Sequence, residues 1–153
     1  MIYVDSIKVQ KGLVELLVEF DSDWFVTLAF NSTGYSYAAA KVQLERFHAR
    51  LDRLQLGKHW SQSTERTEFI AVPEIRNGTL HYHLFLKLAT DPRTGFDWEG
   101  SAPGLWKKIV PAGTVNIQPI GDKRRRAEYV TKDAWRCASI EHFVLSSEFI
   151  SDD

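Results

Sequence analysis

His81, Tyr82 and His83 put two imidazoles at positions i and i+2. On a strand, side chains at that spacing project from one face, so both rings can reach one metal ion or one substrate group. The surroundings read as strand: residues 67–75 and 80–88 are rich in β-branched and aromatic side chains, and Arg76-Asn77-Gly78-Thr79 separates them. Asn-Gly is a strong two-residue hairpin signal, because both turn positions need positive φ. With Asn77 and Gly78 at the turn, Arg76 opposes Thr79, Ile75 opposes Leu80, and Glu74 opposes His81. Directly opposed residues have Cβ atoms about 4.5–5.5 Å apart on one face. Glu74, His81 and His83 are therefore expected to converge. Two imidazole nitrogens and a carboxylate, with positions left open for water or substrate, suit a divalent ion such as Mn²⁺; Mg²⁺ is acceptable and Zn²⁺ is not excluded. A surface histidine pair hydrogen-bonded to a carboxylate has the same pattern, and the residues alone leave both readings open.

Tyr129 and Lys132 lie three apart in a segment with helical periodicity, hence on neighbouring positions of one face. A phenol, with a pKa of about 10, is a poor nucleophile at neutral pH unless a cation or metal-bound group stabilises its phenolate. Lys132 could supply that charge or hold a phosphate. The plainer reading has Tyr129 packing at a helix–sheet boundary and Lys132 in solvent. Just upstream stand Lys123, Arg124, Arg125 and Arg126, and residues 121–136 hold six basic side chains against three acidic ones. Cations at a helix start oppose its dipole, so their placement there favours a DNA-binding role over a merely solvated face. Trp60, Trp98 and Trp106 lie in or beside loops, where they could stack on bases; core packing is the commoner use.

Several elements must position these groups. Residues 24–30 form a β-branched and aromatic run that ends at Asn31-Ser32-Thr33-Gly34, which reads as a buried strand and turn. From Tyr37 the spacing changes: Ala40, Leu44, Phe47, Leu51 and Leu54 recur at helical steps, and Gly57 stops them. Residues 7–20 have mixed spacing compatible with strand or helix. Residues 91–111 read as irregular, with a short helix around 105–110. Residues 114–120 alternate as an edge strand, and residues 123 to about 140 read as helix, with Ala127, Val130, Ala134 and Ala138 in step. The order β-α-β-β-(α)-β-α predicts an α+β fold, a ferredoxin-like or RRM-like antiparallel sheet of about five strands with helices packed on it.

Composition sets the outer limits. The chain has 153 residues, 44% hydrophobic and 25% charged, which fits one domain over residues 1–153. Nineteen basic and 20 acidic side chains give a net charge of −1, with no global signal for a polyanionic partner. The lone Cys137 excludes an internal disulfide and a Cys-only zinc site, and fits a reducing compartment. No apolar run approaches the roughly 18 residues needed to span a bilayer, and the acidic start lacks the basic region of a signal peptide, so a cytoplasmic protein without membrane contact is expected.

Taken in order, the strand Trp24-Phe25-Val26-Thr27-Leu28-Ala29-Phe30, the His81-Tyr82-His83 strand and Tyr129-Val130-Thr131-Lys132 resemble the three motifs of the HUH endonucleases, specifically the rolling-circle replication initiators (Rep proteins). The resemblance runs from about Trp24 to Trp135. It implies that the first motif is structural, that His81 and His83 with an upstream acidic residue bind the metal, and that Tyr129 attacks DNA. Glu74, reached above from hairpin geometry, falls where the third ligand is expected. The implied activity is nicking and rejoining of single-stranded DNA, or of an origin hairpin, through a 5′-phosphotyrosine. Only one tyrosine occupies the helix, and no Gly-x-x-x-x-Gly-Lys-Ser/Thr loop of a helicase occurs in the sequence, so a host helicase and polymerase are the implied partners. The place of action is the host cytoplasm, or the nucleus if the host is eukaryotic. A single-tyrosine HUH transposase is a near alternative, although those relatives tend to carry Gln after the tyrosine. A ferredoxin-like nucleic-acid-binding module without catalysis is a second alternative, and a zinc protein without DNA chemistry a remote one.

Overall fold

A computed structural model describes residues 2–132 and 140–150. The first segment is a helix, α1 (Ile2–Glu19). Its mixed spacing has a physical source: Val14 and Leu17 are buried, while Ile7, Val9 and Leu16 are exposed, so apolar residues occupy more than one face. Strand β1 (Trp24–Ala29) follows, then α2 (Tyr37–Leu56). The Ser36 side chain caps α2 by accepting from the Ala39 N–H at 3.1 Å, and Gly57, at φ 83°, closes it. Leu54, which fits the apolar periodicity, points to solvent, because the buried stripe continues through Leu51, Asp52 and Gln55 instead.

Strands β2 (Glu68–Arg76) and β3 (Thr79–Lys87) form the expected hairpin. Asn77 and Gly78 both take positive φ, 54° and 77°, and Glu74 pairs with His81. The next segment departs from its expected irregularity. It forms α3 (Trp98–Ile109), started by the Asp97 side chain accepting from the Gly100 N–H at 3.1 Å. Gly100, Pro103 and Gly104 mask the helical pattern; burial of Trp98, Ala102 and Trp106 on one stripe overrides their weak propensity. Strand β4 (Thr114–Pro119) and helix α4 (Lys123–Thr131) follow. The expected continuation of α4 towards 140, with Ala134 and Ala138, falls on residues 133–139, outside the described residues, as do Trp135, Arg136 and Cys137. Residues Ile140–His142 form a 3-10 turn, and a two-residue strand, β5 (Val144–Leu145), adds to the edge of β2. Two residues carry too little pattern to be read from sequence.

The five strands lie in the order β4-β1-β3-β2-β5, antiparallel throughout, giving the split β-α-β arrangement and the α+β class expected. Helices cover both faces. On one, α2 and α3 bury Leu44, Phe47 and Trp106 against Val26, Leu28, Tyr82 and Leu84. On the other, Val14 and Leu17 of α1 and Ala127 of α4 pack on Phe25, Ile70, Val72 and Phe85. Trp106 is fully buried and donates its indole N–H to the Ala29 carbonyl at 3.0 Å. Its ring packs so tightly on Gly113 that any side chain there would collide with it. Trp98 and Trp106 are thus core residues, whereas Trp60 is partly exposed with the Arg66 guanidinium over its ring.

A polar cluster is sealed beneath α2. Arg66 donates from Nε to Asp52 Oδ2 at 2.7 Å, and the Thr67 N–H donates to Asp52 Oδ1 at 2.8 Å. His48 donates from Nε2 to the Thr67 carbonyl at 2.7 Å and accepts from Arg66 at Nδ1. Breaking such a pair leaves a buried charge uncompensated. Asp52→Ala is therefore expected to cost about 3–5 kcal/mol, read from urea unfolding. Burial lowers the His48 pKa below its ordinary 6.5. The unfolded chain then binds the proton more readily than the folded one, so stability falls with pH once pH drops below about 6.5. His48→Gln should make that slope shallower in unfolding measured across the acid range.

Candidate active site

The sheet face covered by α1 and α4 carries the chemistry. Alternation along the strands puts Phe25 and Thr27 of β1, Val72 and Glu74 of β2, and His81 and His83 of β3 on this face, opposite the buried Tyr82 and Leu84. Register places His81 between Glu74 and Ala29, and His83 between Val72 and Thr27.

His83 is the most enclosed of the group, with 7% of its surface exposed. Its ring stacks on Phe25 at 5.6 Å between centroids and 7° between planes. Nε2 lies 2.7 Å from Glu74 Oε2, and Nδ1 lies 3.1 Å from the Thr27 hydroxyl. Burial is the largest influence on His83 and outweighs the Glu74 hydrogen bond, which favours the charged ring, so its pKa lies below the ordinary value. The neutral ring then donates from Nε2 to Glu74 and accepts from Thr27 at Nδ1, a tautomer assigned from the hydrogen-bond partners. Burial would raise the Glu74 pKa, but the hydrogen bond from His83 and the charge of Arg76 outweigh it and hold the carboxyl below its ordinary value.

Glu74 thus reaches diagonally to His83 rather than resting on His81, its directly opposed partner. Its second oxygen, Oε1, takes an ion pair from Arg76 at 3.0 Å. Both carboxylate oxygens and the imidazole Nε2 are engaged in this way, and among the described residues no three His, Cys, Asp or Glu side chains stand ready to hold a metal ion. The donor set nevertheless fits a divalent ion. One carboxylate oxygen and one imidazole nitrogen already face each other, and His81 shares their face. Moving the His83 proton from Nε2 to Nδ1 frees the ligating lone pair, and the Thr27 hydroxyl can accept where it had donated.

Helix α4 brings Tyr129 to the same face. Asp122 caps the helix by accepting from the Arg125 N–H at 3.1 Å, and buried Ala127 and Thr131 fix its inner side. Tyr129 stays 45% exposed, with its ring edge-on to His83 at 6.2 Å between centroids. Lys132 Nζ lies 4.3 Å from the centroid of the Tyr129 ring. A cavity of about 480 Å³ opens beside Tyr129, lined by Phe25, Asp122, Arg125 and Arg126.

The four basic residues before Tyr129 divide. Lys123 donates to the Phe20 carbonyl at 2.7 Å, and Arg124 pairs with Glu15 at 2.7 Å, both joining α4 to the end of α1 or the turn after it. Arg126 lies over the Phe25 ring and reaches the Ile120 and Pro119 carbonyls. Arg125 faces the cavity beside Tyr129.

Arg76 escaped the reading of the sequence. It pairs with Glu74 and hydrogen-bonds Tyr129, and the tyrosine hydroxyl and the carboxylate together raise its pKa. The signal was present, since Arg76 is two residues from Glu74 on the same strand and so shares its face. Thr27 was likewise legible as the cross-strand neighbour of His83 only after the β1–β3 register was known.

The profile of a protein family described as replication-associated protein, of the ORF2 type, matches residues 23–135, most of the chain. The chain belongs to this family. Membership supports a replication-initiator role with DNA as partner, and the match encloses Glu74, both histidines, Tyr129 and Lys132. Comparison with curated proteins and with solved structures gives no match. No helix among the described residues is long and apolar enough to cross a membrane.

The ion pair between Arg76 and Glu74 has a measurable consequence. In metal-free buffer, Arg76→Gln removes a cation 3.0 Å from the carboxylate, so Glu74 should titrate at higher pH than in the wild type by carbon-13 NMR.

Proposed function

We propose that this chain is a metal-dependent, sequence- or structure-specific endonuclease and strand transferase of the HUH type. It nicks single-stranded DNA at a replication origin through Tyr129 and so starts rolling-circle replication. The observation that carries the reading is the placement of Tyr129 over His83, on the sheet face that also presents Glu74 and His81, within a replication-associated family. Glu74, His81 and His83 would hold the metal, Mn²⁺ or Mg²⁺. When bound, such an ion supplies Lewis-acid stabilisation of the nonbridging oxygens of the scissile phosphate.

The chain's own groups do the rest. Tyr129 Oη attacks phosphorus in line, the Oη–P bond forms and the P–O3′ bond breaks. The phenolic proton is lost and the departing 3′ oxygen gains one, leaving a free 3′ hydroxyl for a polymerase and a 5′ phosphate on Tyr129. One phosphoester replaces another, so the 3′ hydroxyl can reverse the step and close the circle. Arg76, hydrogen-bonded to Tyr129, and Lys132, beside its ring, stabilise the phenolate or the phosphate charge. Arg125 and Arg126 offer positive charge to a neighbouring phosphate at the cavity.

The test is a denaturing gel of the protein with Mn²⁺ and single-stranded oligonucleotides tiling the origin of its own replicon. A covalent protein–DNA adduct is expected, lost with EDTA, with Tyr129→Phe, and with His81→Ala or His83→Ala. Arg76→Gln should slow adduct formation by about 10²-fold. Adduct persisting in Tyr129→Phe would overturn the assignment of the nucleophile.

A further inference from the structure

On the opposite side of the sheet from Tyr129, the ends of α2 and α3 and the loop before α3 enclose a groove of about 550 Å³. Arg50, Arg53, Lys58, Arg93 and Lys108 line it, all exposed, and no carboxylate does. None of the five forms a salt bridge among the described residues. The nearby Asp52 is fully buried and committed to Arg66. Helix dipoles account for Arg53 and Lys108, which stand in the last turns of α2 and α3. They do not account for Arg50, Lys58 or Arg93, and five like charges on one concave surface repel unless an anion joins them. In a chain of net charge −1, this concentration needs a ligand.

The groove is also partly preorganised. The Arg93 N–H donates to the Gln55 carbonyl at 2.7 Å, fastening the loop to the end of α2. The Arg93 side chain lies across Gly57, with Cδ 3.7 Å and a guanidinium nitrogen 3.8 Å from where a Cβ would stand. Gly57 leaves that space open and, at φ 83°, disfavours any side chain.

We propose that this groove is a second nucleic-acid site that grips the phosphates of duplex DNA, holding the origin while its single strand reaches the Tyr129 face. The choice of duplex comes from what the lining lacks. Apart from the cations it holds Leu54, Gly57 and Leu105, with no aromatic ring on which unstacked bases could rest. Duplex DNA instead offers closely spaced phosphates that need only cations. The link to nicking rests on the function proposed above; duplex binding itself does not.

The test uses the whole chain and a fluorescent 30-base-pair duplex of arbitrary sequence, with affinity followed by anisotropy across a salt series. Arg53→Gln with Lys108→Gln removes two exposed charges with good helix formers, and Arg50→Gln with Arg93→Gln is an independent pair. Each pair should weaken duplex binding at least tenfold and reduce the slope of log affinity against log salt by about 2. The Tyr129 adduct with a short single-stranded oligonucleotide should form at the wild-type rate. Unchanged duplex affinity and slope in both pairs overturns the proposal, as does an equal loss for a single strand of the same length, or no duplex binding by the wild type at low salt. Failure of adduct formation with duplex binding intact would instead count against the nuclease reading alone.

Discussion

The β2–β3 register governs the site. Because side chains alternate with a period of two, sliding β3 by one residue would turn both histidines into the α2–α3 core and bring Tyr82 and Leu84 out. The two-residue turn at Asn77 and Gly78 prevents that slip, since few residue pairs accept positive φ at both positions. Burial of Tyr82, Leu84 and Leu86 on the far face enforces the same register from the other side. One turn and one apolar face thus fix which groups meet Glu74.

Around that register, the site is a set of exchangeable hydrogen bonds in a mostly enclosed setting. His83 is held on four sides, by Phe25, Thr27, Glu74 and Tyr129, and burial keeps it neutral. Glu74 is shared between His83 and Arg76, and Arg76 reaches on to Tyr129. The nucleophile proposed here is therefore linked through a single arginine to the carboxylate proposed as ligand. Any cation that takes Glu74 must compete with Arg76, and an Arg76 so released stays beside Tyr129, where developing phenolate charge would attract it.

Charge is the property that the folded chain redistributes most. Of the basic run before Tyr129, Lys123 and Arg124 bind α4 to the α1 side and Arg126 lies on Phe25, which leaves Arg125 as the member facing the cavity without such a bond. These contacts stabilise the helix that carries Tyr129 and also resolve the unfavourable placement of cations at a helix start. The uncompensated cations stand elsewhere, in the groove formed by α2, α3 and the loop at Arg93.

Much of the fold and of the candidate site could be read from the residues alone, wherever a short-range rule applied. Turn chemistry gave the hairpin and the Glu74–His81 pairing; helical spacing gave α2 and the start of α4; strand order gave the antiparallel α+β class. Where apolar residues covered several faces, as in α1, or Gly and Pro hid the stripe, as in α3, local pattern failed and burial decided. The groups that no local rule can join depended on tertiary structure. Thr27 meets His83 across 56 positions, Arg124 meets Glu15 across 109, and Arg53 and Arg93 share a groove because two helices and a loop end together. Sequence by itself determined which chemical groups the chain owns and which neighbours a turn or helix aligns. Tertiary structure alone decided which cations are neutralised and which stay free, because charge compensation depends on distance in space rather than along the chain.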